Sequence, residues 1–337
     1  MKAVGYNKPL PISHAESLMD IEVPTPAVSG RDLLVRVQAI SVNPVDVKVR
    51  AGAVPEGMEY KILGWDAAGV VAEAGSESKL FKVGDEVYYA GSLTRPGTNA
   101  EFHLVDERIV GKKPKRLDFT AAAALPLTTI TAWELLFDRF GVRPGKPSDA
   151  GSLLIIGAAG GVGSILIQLA RRLTGLTVIA TASRLETREW CLDLGAHHVI
   201  DHTKPLVAQL RDIAIPEVEF IAGLNATDTH YPALVEALAP QGKFGLIDDP
   251  TSLDATELKR KSASLHWEFM FARPVFQTSD MSAQHMLLDE VAALVDAGVV
   301  RTTLAENLGT INAANLKKAH AMIEGGRTRG KLVLAGF

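Results

Sequence analysis

The stretch "LGWDAAGVV", Leu63 to Val71, sets the carboxylate of Asp66 among small and apolar residues, directly after Trp65. A carboxylate so placed is a metal ligand, a proton-transfer group or a structural anchor, and each role demands different neighbours. In "SVNPVDVK", Asn43 offers an amide that donates and accepts hydrogen bonds, and Pro44 stiffens the turn that presents it. Asp46 can orient a substrate, pair with Lys48 or cap the local turn. A third stretch, "LLIIGAAGGVGSILIQLARR", places Gly157, Ala159, Gly160, Gly161, Val162 and Gly163 between an apolar run and an amphipathic helix. Small residues there let the backbone approach a pyrophosphate, whose charge the N–H groups and dipole of the helix start favour. A tight turn with close helix packing is the alternative use of the same glycines.

The strand "TVIATAS" that follows ends at Ser183 and Arg184, with Arg188 a helical turn further on, where an NAD site commonly carries Asp or Glu. A guanidinium pairs with phosphate oxygens in a bidentate, permanently charged geometry, so this ending favours NADPH. The competing role for the arginine is an ion pair with Glu186 or Glu189.

These groups need elements to position them. Up to about residue 120 the chain shows short alternating runs, "DLLVRVQAISV", "AAGVVAEAG" and "GDEVYYAG", punctuated by Gly, Pro and Asp as in a β-barrel module. The period then changes in "RLDFTAAAALPLTTITAWELLFDRF", which reads as helix with an interruption at Thr128 to Thr131. Beyond it strands and helices alternate, which implies right-handed crossovers and a parallel sheet. Val162, Ile165, Leu166, Leu169 and Leu173 give the first crossover helix one apolar face. The tail carries a helix around Leu287 to Val295, another from Asn312 to Gly325, and the strand "KLVLAGF". The expected fold class is α/β: a doubly wound parallel-sheet domain of Rossmann type over 126–272, and a β-rich barrel domain built from 1–125 and 273–337.

The chain has 337 residues and a formal net charge of -4, with no strongly basic segment, so a nucleic-acid partner is not expected. The start has no leader-like apolar core, and no apolar run is expected to reach the roughly 20 residues of a membrane helix, so a cytoplasmic protein is expected. Cys191 is the only cysteine, which excludes an internal disulfide and any zinc site built from several thiolates. In "REWCLDLGA" it reads as a packed helical residue.

A β-rich module, a nucleotide fold opening with "GAAGGVG" and a return to the first module resemble the medium-chain dehydrogenase/reductase superfamily. "SVNPVDVKVRAG", "LGWDAAGVV", "VGDEVYY", "AAALPLTTITAWELL" and "GKLVL" are most similar to its zinc-independent quinone oxidoreductase branch, within the subgroup named zinc-type alcohol dehydrogenase-like. The resemblance implies a GroES-like first domain. Zinc-dependent members carry a Cys in the segment holding Asn43 and a His where this chain has Trp65, so the usual zinc ligands are missing and no metal is expected. Asp66 then reads as an anchor bonded to backbone or to a nearby cation, and Trp65 as cleft wall or core filler.

The resemblance further implies that Asn43 and Asp46 line the active site and that Thr131 binds near the nicotinamide, the alternative being a helix-starting threonine. It puts His202 near the adenine and its 2′-phosphate, the backbone of Ile247 and Asp248 beside the nicotinamide ribose, and Lys331 within reach of cofactor or substrate. A metal cluster of His197, His198 and His202 is disfavoured, because residues flanking so short a strand point in alternating directions. "HWEFMFARP" supplies an edge strand for a homodimer, with Phe271 and Arg273 near the cleft. The implied activity is NADPH-dependent hydride transfer to a quinone or activated α,β-unsaturated carbonyl. An enoyl-thioester or other double-bond reductase and a non-catalytic NADPH-binding protein are the alternatives. Substrate size is left to loops such as "RAGAVPEGMEYK" and "GSLTRPGTNAEFH".

Overall fold

Alternating burial along β-branched runs builds the first half of the chain, and near-continuous apolar strands build the second. The structure, a computed structural model, describes residues 1–53, 57, 59–147 and 149–337. Positions 54–56 and 58, within the loop expected to size the substrate pocket, lie outside the described residues. Two compact units emerge: Met1–Ile130 with Phe271–Phe337, and Thr131–Met270.

The first unit begins with β1 (Lys2–Tyr6), β2 (Met19–Glu22), β3 (Asp32–Val42), α1 (Pro44–Gly52), β4 (Lys61–Ile62), β5 (Asp66–Ala74), β6 (Glu86–Ala90), β7 (Phe102–Asp106) and β8 (Val110–Lys112). Two helices follow, α2 (Phe119–Ala123) and α3 (Pro126–Trp133). The second unit holds β9 (Ser152–Ile156), α4 (Gly161–Leu173), β10 (Thr177–Thr181), α5 (Leu185–Leu194), β11 (His198–Ile200), α6 (Leu206–Asp212), β12 (Val218–Gly223), α7 (Thr227–Ala237), β13 (Leu238–Leu246) and β14 (Ser264–Trp267). The chain then returns through α8 (Ala272–Phe276), α9 (Ala283–Asp296), β15 (Leu304–Asn307), α10 (Ala313–Glu324) and β16 (Lys331–Ala335).

In the first unit β15-β16-β3-β5-β6-β8 form one sheet, with β7 also on β3, and β2-β1-β4 form a second. Most neighbours are antiparallel, as hairpin-linked alternating strands require. α1, read in sequence as a turn, is a helix because Asn43 sits in extended conformation at its N-cap and Pro44 supplies a preset φ at the next position. The helix break expected at Thr128 to Thr131 falls earlier, at Ala124 and Leu125, because Pro126 cannot continue the preceding helix. The helical run Phe119–Arg139 is long and apolar enough to span a membrane, contrary to the sequence expectation, but most of it is buried inside the protein, as a core helix is.

The second unit's sheet is parallel throughout in the order β11-β10-β9-β12-β13-β14. The order reverses between β9 and β12, the switch point of a doubly wound dinucleotide fold. A π-helical turn, Glu134–Arg139, follows α3. Leu135 within it and Phe140 just after it press so closely on Gly245 that a Cβ there would lie 2.5 and 2.7 Å from them.

That turn carries an unusual pair of acids. Glu134 and Glu268 are both buried against Arg139, whose Nε donates to Glu268 Oε2 at 2.8 Å while its guanidinium lies 3.9 Å from Glu134 Oε2. Two buried carboxyls beside one cation retain a proton between them rather than both ionising. Burial, and then the neighbouring Glu134, push Glu268 up to about 9. Because that value lies above the ordinary carboxyl range, the stability contributed by the bound proton is complete in acid and is lost as pH rises through about 9. The urea midpoint should therefore fall from about pH 6 to about pH 10, and Glu134→Gln, which removes the like charge, should flatten that slope. Equal slopes in the two proteins would exclude the shared proton.

Candidate functional site

Asp66 opens β5 directly opposite Ser41 of β3 and is fully buried. Its Oδ2 accepts hydrogen bonds from Ser41 Oγ at 2.7 Å, Asn43 Nδ2 at 2.8 Å and Lys331 Nζ at 3.0 Å. Its Oδ1 accepts the Leu127 N–H at 2.7 Å, and Thr98 Oγ1 donates to its backbone carbonyl at 3.1 Å. Lys331 is only 3% exposed and completes its set of donations at Val42 O, 3.2 Å, and Asn43 Oδ1. The carboxylate is thus an anchor, saturated by a cation and neutral donors. Sequence reasoning missed Ser41 and Thr98, whose signal is strand register rather than any local motif.

Other expected site residues fall into distinct surroundings. Asp46 takes the last of its three expected roles: its Oδ2 accepts the Asn43 N–H at 2.8 Å and closes the first turn of α1. Burial pushes its carboxyl up to about 7, against the pull of that N–H and of Lys331, with the Asp66 charge adding to the rise. Lys331, expected to reach cofactor or substrate, has its ammonium engaged inside this cluster. Arg273, expected near the reacting atoms, pairs with Asp280, Nε to Oδ2 3.1 Å, seven residues along the chain. Thr131 lies within α3 and is buried, so it does not start a helix. Trp65 is buried, donates from Nε1 to Ser92 O at 3.2 Å and meets Phe271 edge-on at 5.9 Å. Burial raises the Cys191 thiol to about 12, which leaves it a packed, inert group.

In the second unit parallel register gathers another set. Ile155 pairs with Ala180, Thr181 with Ile200, Ile156 with Gly223 and Gly223 with Leu246, so the carboxyl ends of these strands lie level. From that edge emerge the Gly157 turn, Ser183 and Arg184, His202, and Ile247. Gly157 has φ 76, which favours glycine, and its N–H donates to Thr181 Oγ1 at 3.3 Å. Gly160 caps α4 in extended conformation, and a Cβ on Gly163 would lie 2.4 Å from the Ala158 carbonyl oxygen. The turn is therefore a backbone cradle backed directly by the helix, and it fits a dinucleotide's pyrophosphate.

Ser183 is exposed, and Arg184 caps α5 and pairs with Glu186 at 3.3 Å across partly exposed side chains. Arg188 instead donates to Ala182 O at 3.3 Å and Val199 O at 3.0 Å, tying strand ends together. Asp248 accepts the Thr227 N–H at 2.9 Å and its hydroxyl at 2.6 Å, which fixes the start of α7. His197 Nδ1 accepts the Val178 N–H at 2.9 Å, and among the described residues no three His, Cys, Asp or Glu side chains form a metal-binding group.

Fold and site together define an oxidoreductase built from a GroES-like barrel unit and a Rossmann-type unit. Residues 29–115 match the alcohol dehydrogenase GroES-like domain family, and residues 194–334 match the zinc-binding dehydrogenase family. A zinc-type alcohol dehydrogenase-like protein of Staphylococcus aureus (strain MSSA476) is 40% identical over 336 residues, 99% of each chain. A crystal structure from Rhizobium etli CFN 42, assigned provisionally as a zinc-dependent alcohol dehydrogenase, is 57% identical with a TM-score of 0.96, covering 100% of this chain and 98% of that one. A quinone oxidoreductase of Pseudomonas syringae pv. Tomato DC3000 is 25% identical with a TM-score of 0.83, over 99% of both chains. The chain belongs to the medium-chain dehydrogenase/reductase superfamily, in its quinone oxidoreductase branch.

The family names invoke zinc, and the residues do not fit it. Catalytic zinc takes three protein ligands from thiolate, imidazole and carboxylate groups. Here Asn43 and Trp65 stand where thiolate and imidazole would be needed, the Asp46 carboxylate is taken by the Asn43 N–H, and a lysine ammonium bonds the Asp66 carboxylate directly. Breaking one side of a buried ion pair costs about 3–5 kcal/mol because the partner charge stays uncompensated. Lys331→Met should lower unfolding free energy by that order, and Lys331→Met with Asp66→Asn should recover most of it. Additive losses in a urea-unfolding double-mutant cycle would show that the two side chains are not coupled.

Proposed function

We propose that the chain is an NADPH-dependent, zinc-independent reductase that passes hydride to quinones or to activated α,β-unsaturated carbonyls, acting as a cytoplasmic homodimer. The observation that carries this reading is the saturated Asp66 cluster: Lys331 is bonded to the carboxylate, and among the described residues no donor set is gathered that would hold a Lewis-acidic metal on an alcohol oxygen. Substrates that are already electrophilic need no such metal. NADPH, when bound, supplies the hydride.

The chain's own residues supply position and electrostatics. Backbone from Ala159 to Gly163 receives the pyrophosphate, and Ser183 with Arg184 meets the 2′-phosphate, the guanidinium exchanging its exposed pair with Glu186 for a phosphate. Thr131 and the Ile247 backbone serve the nicotinamide end. Asn43 is held through both ends of its amide, Oδ1 by Lys331 and Nδ2 by Asp66. The second Nδ2 hydrogen is the donor it offers a substrate oxygen, with an orientation fixed in advance. Support for the dimer comes from β14, the edge strand of the parallel sheet, and from the exposed side chains of Trp267 and Phe269 beside it.

NADPH and NADH oxidation by metal-free protein, with phenanthrenequinone and a simple enone as acceptors, tests the reading. Turnover should prefer NADPH, and Arg184→Ala should weaken NADPH affinity on the order of tenfold while leaving NADH unchanged. No turnover with either cofactor, or activity that requires stoichiometric zinc, would defeat it. Sedimentation showing monomer alone at micromolar concentration would remove the dimer.

A further inference from the structure

The first unit holds a cavity of about 150 Å³ for which the reductase reading has no use. Leu104, Ile109 and Met281 line it with apolar surface, and Ile109 and Met281 are only 2% and 3% exposed. Ser92, Thr94, Arg95 and Asp106 add polar groups. A space of this size admits one six-membered ring or a chain of similar bulk, and is too small for a polycyclic molecule.

The charges at this cavity are already paired. Arg95 donates from both terminal nitrogens to Asp32, at 2.8 and 2.9 Å. Asp106 accepts from Arg108 at both oxygens, 3.0 Å from Nε and 2.7 Å from Nη2. An ionic ligand would lose its hydration without meeting an uncompensated opposite charge, so the cavity suits a neutral molecule. The hydroxyls are in a different condition. Ser92 Oγ and Thr94 Oγ1 lie 3.0 Å apart, and the Thr94 N–H donates to Ser92 Oγ at 3.4 Å. One hydroxyl hydrogen makes the bond between the two oxygens, and the other has no acceptor among the described residues, whichever oxygen carries it. Ser92 is buried and Thr94 exposed, so the pair runs from the interior to the surface.

Both walls are set before any ligand arrives. Trp65 Nε1 and the Arg95 N–H both donate to Ser92 O, each at 3.2 Å. Pro96 O can only accept, so His103 Nε2 carries the hydrogen of their 3.0 Å contact, and Nδ1 accepts the Tyr89 hydroxyl at 3.0 Å. On the other wall Pro274 lies in α8, which Gln277 ends with a φ of 46, a left-handed conformation that residues with side chains avoid. Asp280 holds the turn beyond it through Thr278 Oγ1 at 2.6 Å and Arg273 Nε at 3.1 Å, and the Met281 N–H donates to Thr278 O at 3.0 Å. Fixed walls spare a ligand the cost of ordering them.

We propose that this cavity is a binding site for a small neutral carbonyl compound of one ring, cyclohexanone being the simplest example. The ring lies against Leu104, Ile109 and Met281, and the oxygen accepts the uncommitted hydroxyl hydrogen of the Ser92 and Thr94 pair. Occupancy requires neither cofactor nor hydride transfer, so the site stands or falls apart from the reductase reading.

Methyl spectra of the full-length protein carrying ¹³C-methyl methionine test it, with the Met281 signal identified by its loss in Met281→Leu. Cyclohexanone should shift that signal saturably, and cyclohexanecarboxylate should not. Ser92→Ala with Thr94→Val removes the donor, so the dissociation constant of cyclohexanone should rise about fivefold while that of toluene, which has no acceptor oxygen, holds. Leu104→Trp fills the cavity and should abolish the shift, and Thr94→Trp blocks it from an exposed position if Leu104→Trp does not fold. A Met281 signal that cyclohexanone leaves unmoved at its solubility limit overturns the inference. So does a shift that survives the tryptophan variants, since the ligand then binds elsewhere, or an equal shift with cyclohexanecarboxylate. Unchanged cyclohexanone affinity in the hydroxyl-free double variant overturns the Ser92 and Thr94 contact.

Discussion

A buried carboxylate cannot be left short of donors, and satisfying Asp66 constrains much of the first unit. The donors come from separate stretches: Ser41 at the end of β3, Asn43 at the cap of α1, Leu127 in α3 and Lys331 at the start of β16. A register slip of one residue on β3 would turn Ser41 to the other face and break the set. The same point brings the return segment onto the N-terminal strands, since Leu332 pairs with Val42. The ion pair is thus a fastening between sequence-distant strands. It follows that the site's polarity and the unit's topology are one constraint, and a substitution in the cluster acts on both.

That dependence explains what the sequence disclosed and what it withheld. The bounds of β3 and the course of α4 were readable, because alternation and a helical apolar stripe are local properties. The glycine turn was readable for the same reason, its context being a strand before and a helix after. Asp66 could be recognised as an anchor from the lack of metal ligands around it. Its partners could not be named, because Ser41 and Lys331 reach it only through cross-strand register. Lys331 is the plainest case: by type a surface residue, it is buried because an acid from another strand receives it.

Arginines and acids on the parallel sheet show the same limit at shorter range. Arg184 and Arg188 are a helical turn apart and look interchangeable in sequence. One stays partly exposed at a helix cap, and the other is spent on the carbonyls of Ala182 and Val199. Asp248, whose backbone is expected beside the ribose, commits its carboxylate to fixing α7 through Thr227. Residue type told which chemistry each could do. Competition among neighbours for the same hydrogen bonds decided which of them does it.

The Asp66 cluster and the carboxyl edge of the parallel sheet differ in how completely their polar groups are satisfied, and that difference bears on function. In the first unit the Asp66 cluster is closed: the carboxylate, the ammonium and the amide oxygen are all bonded, which makes the group a rigid reference for whatever Asn43 addresses. At the carboxyl edge of the second unit satisfaction is incomplete, with a helix start cradled by glycines and an imidazole nitrogen of His202 without a partner among the described residues. Open hydrogen-bonding capacity at a level strand edge is where an anionic ligand gains most, because binding relieves groups that folding left unpaired. A closed cluster gains nothing by the same route and can only hold still. Open hydrogen-bonding capacity therefore lies at the parallel sheet's carboxyl edge, and a fixed polar cluster in the barrel.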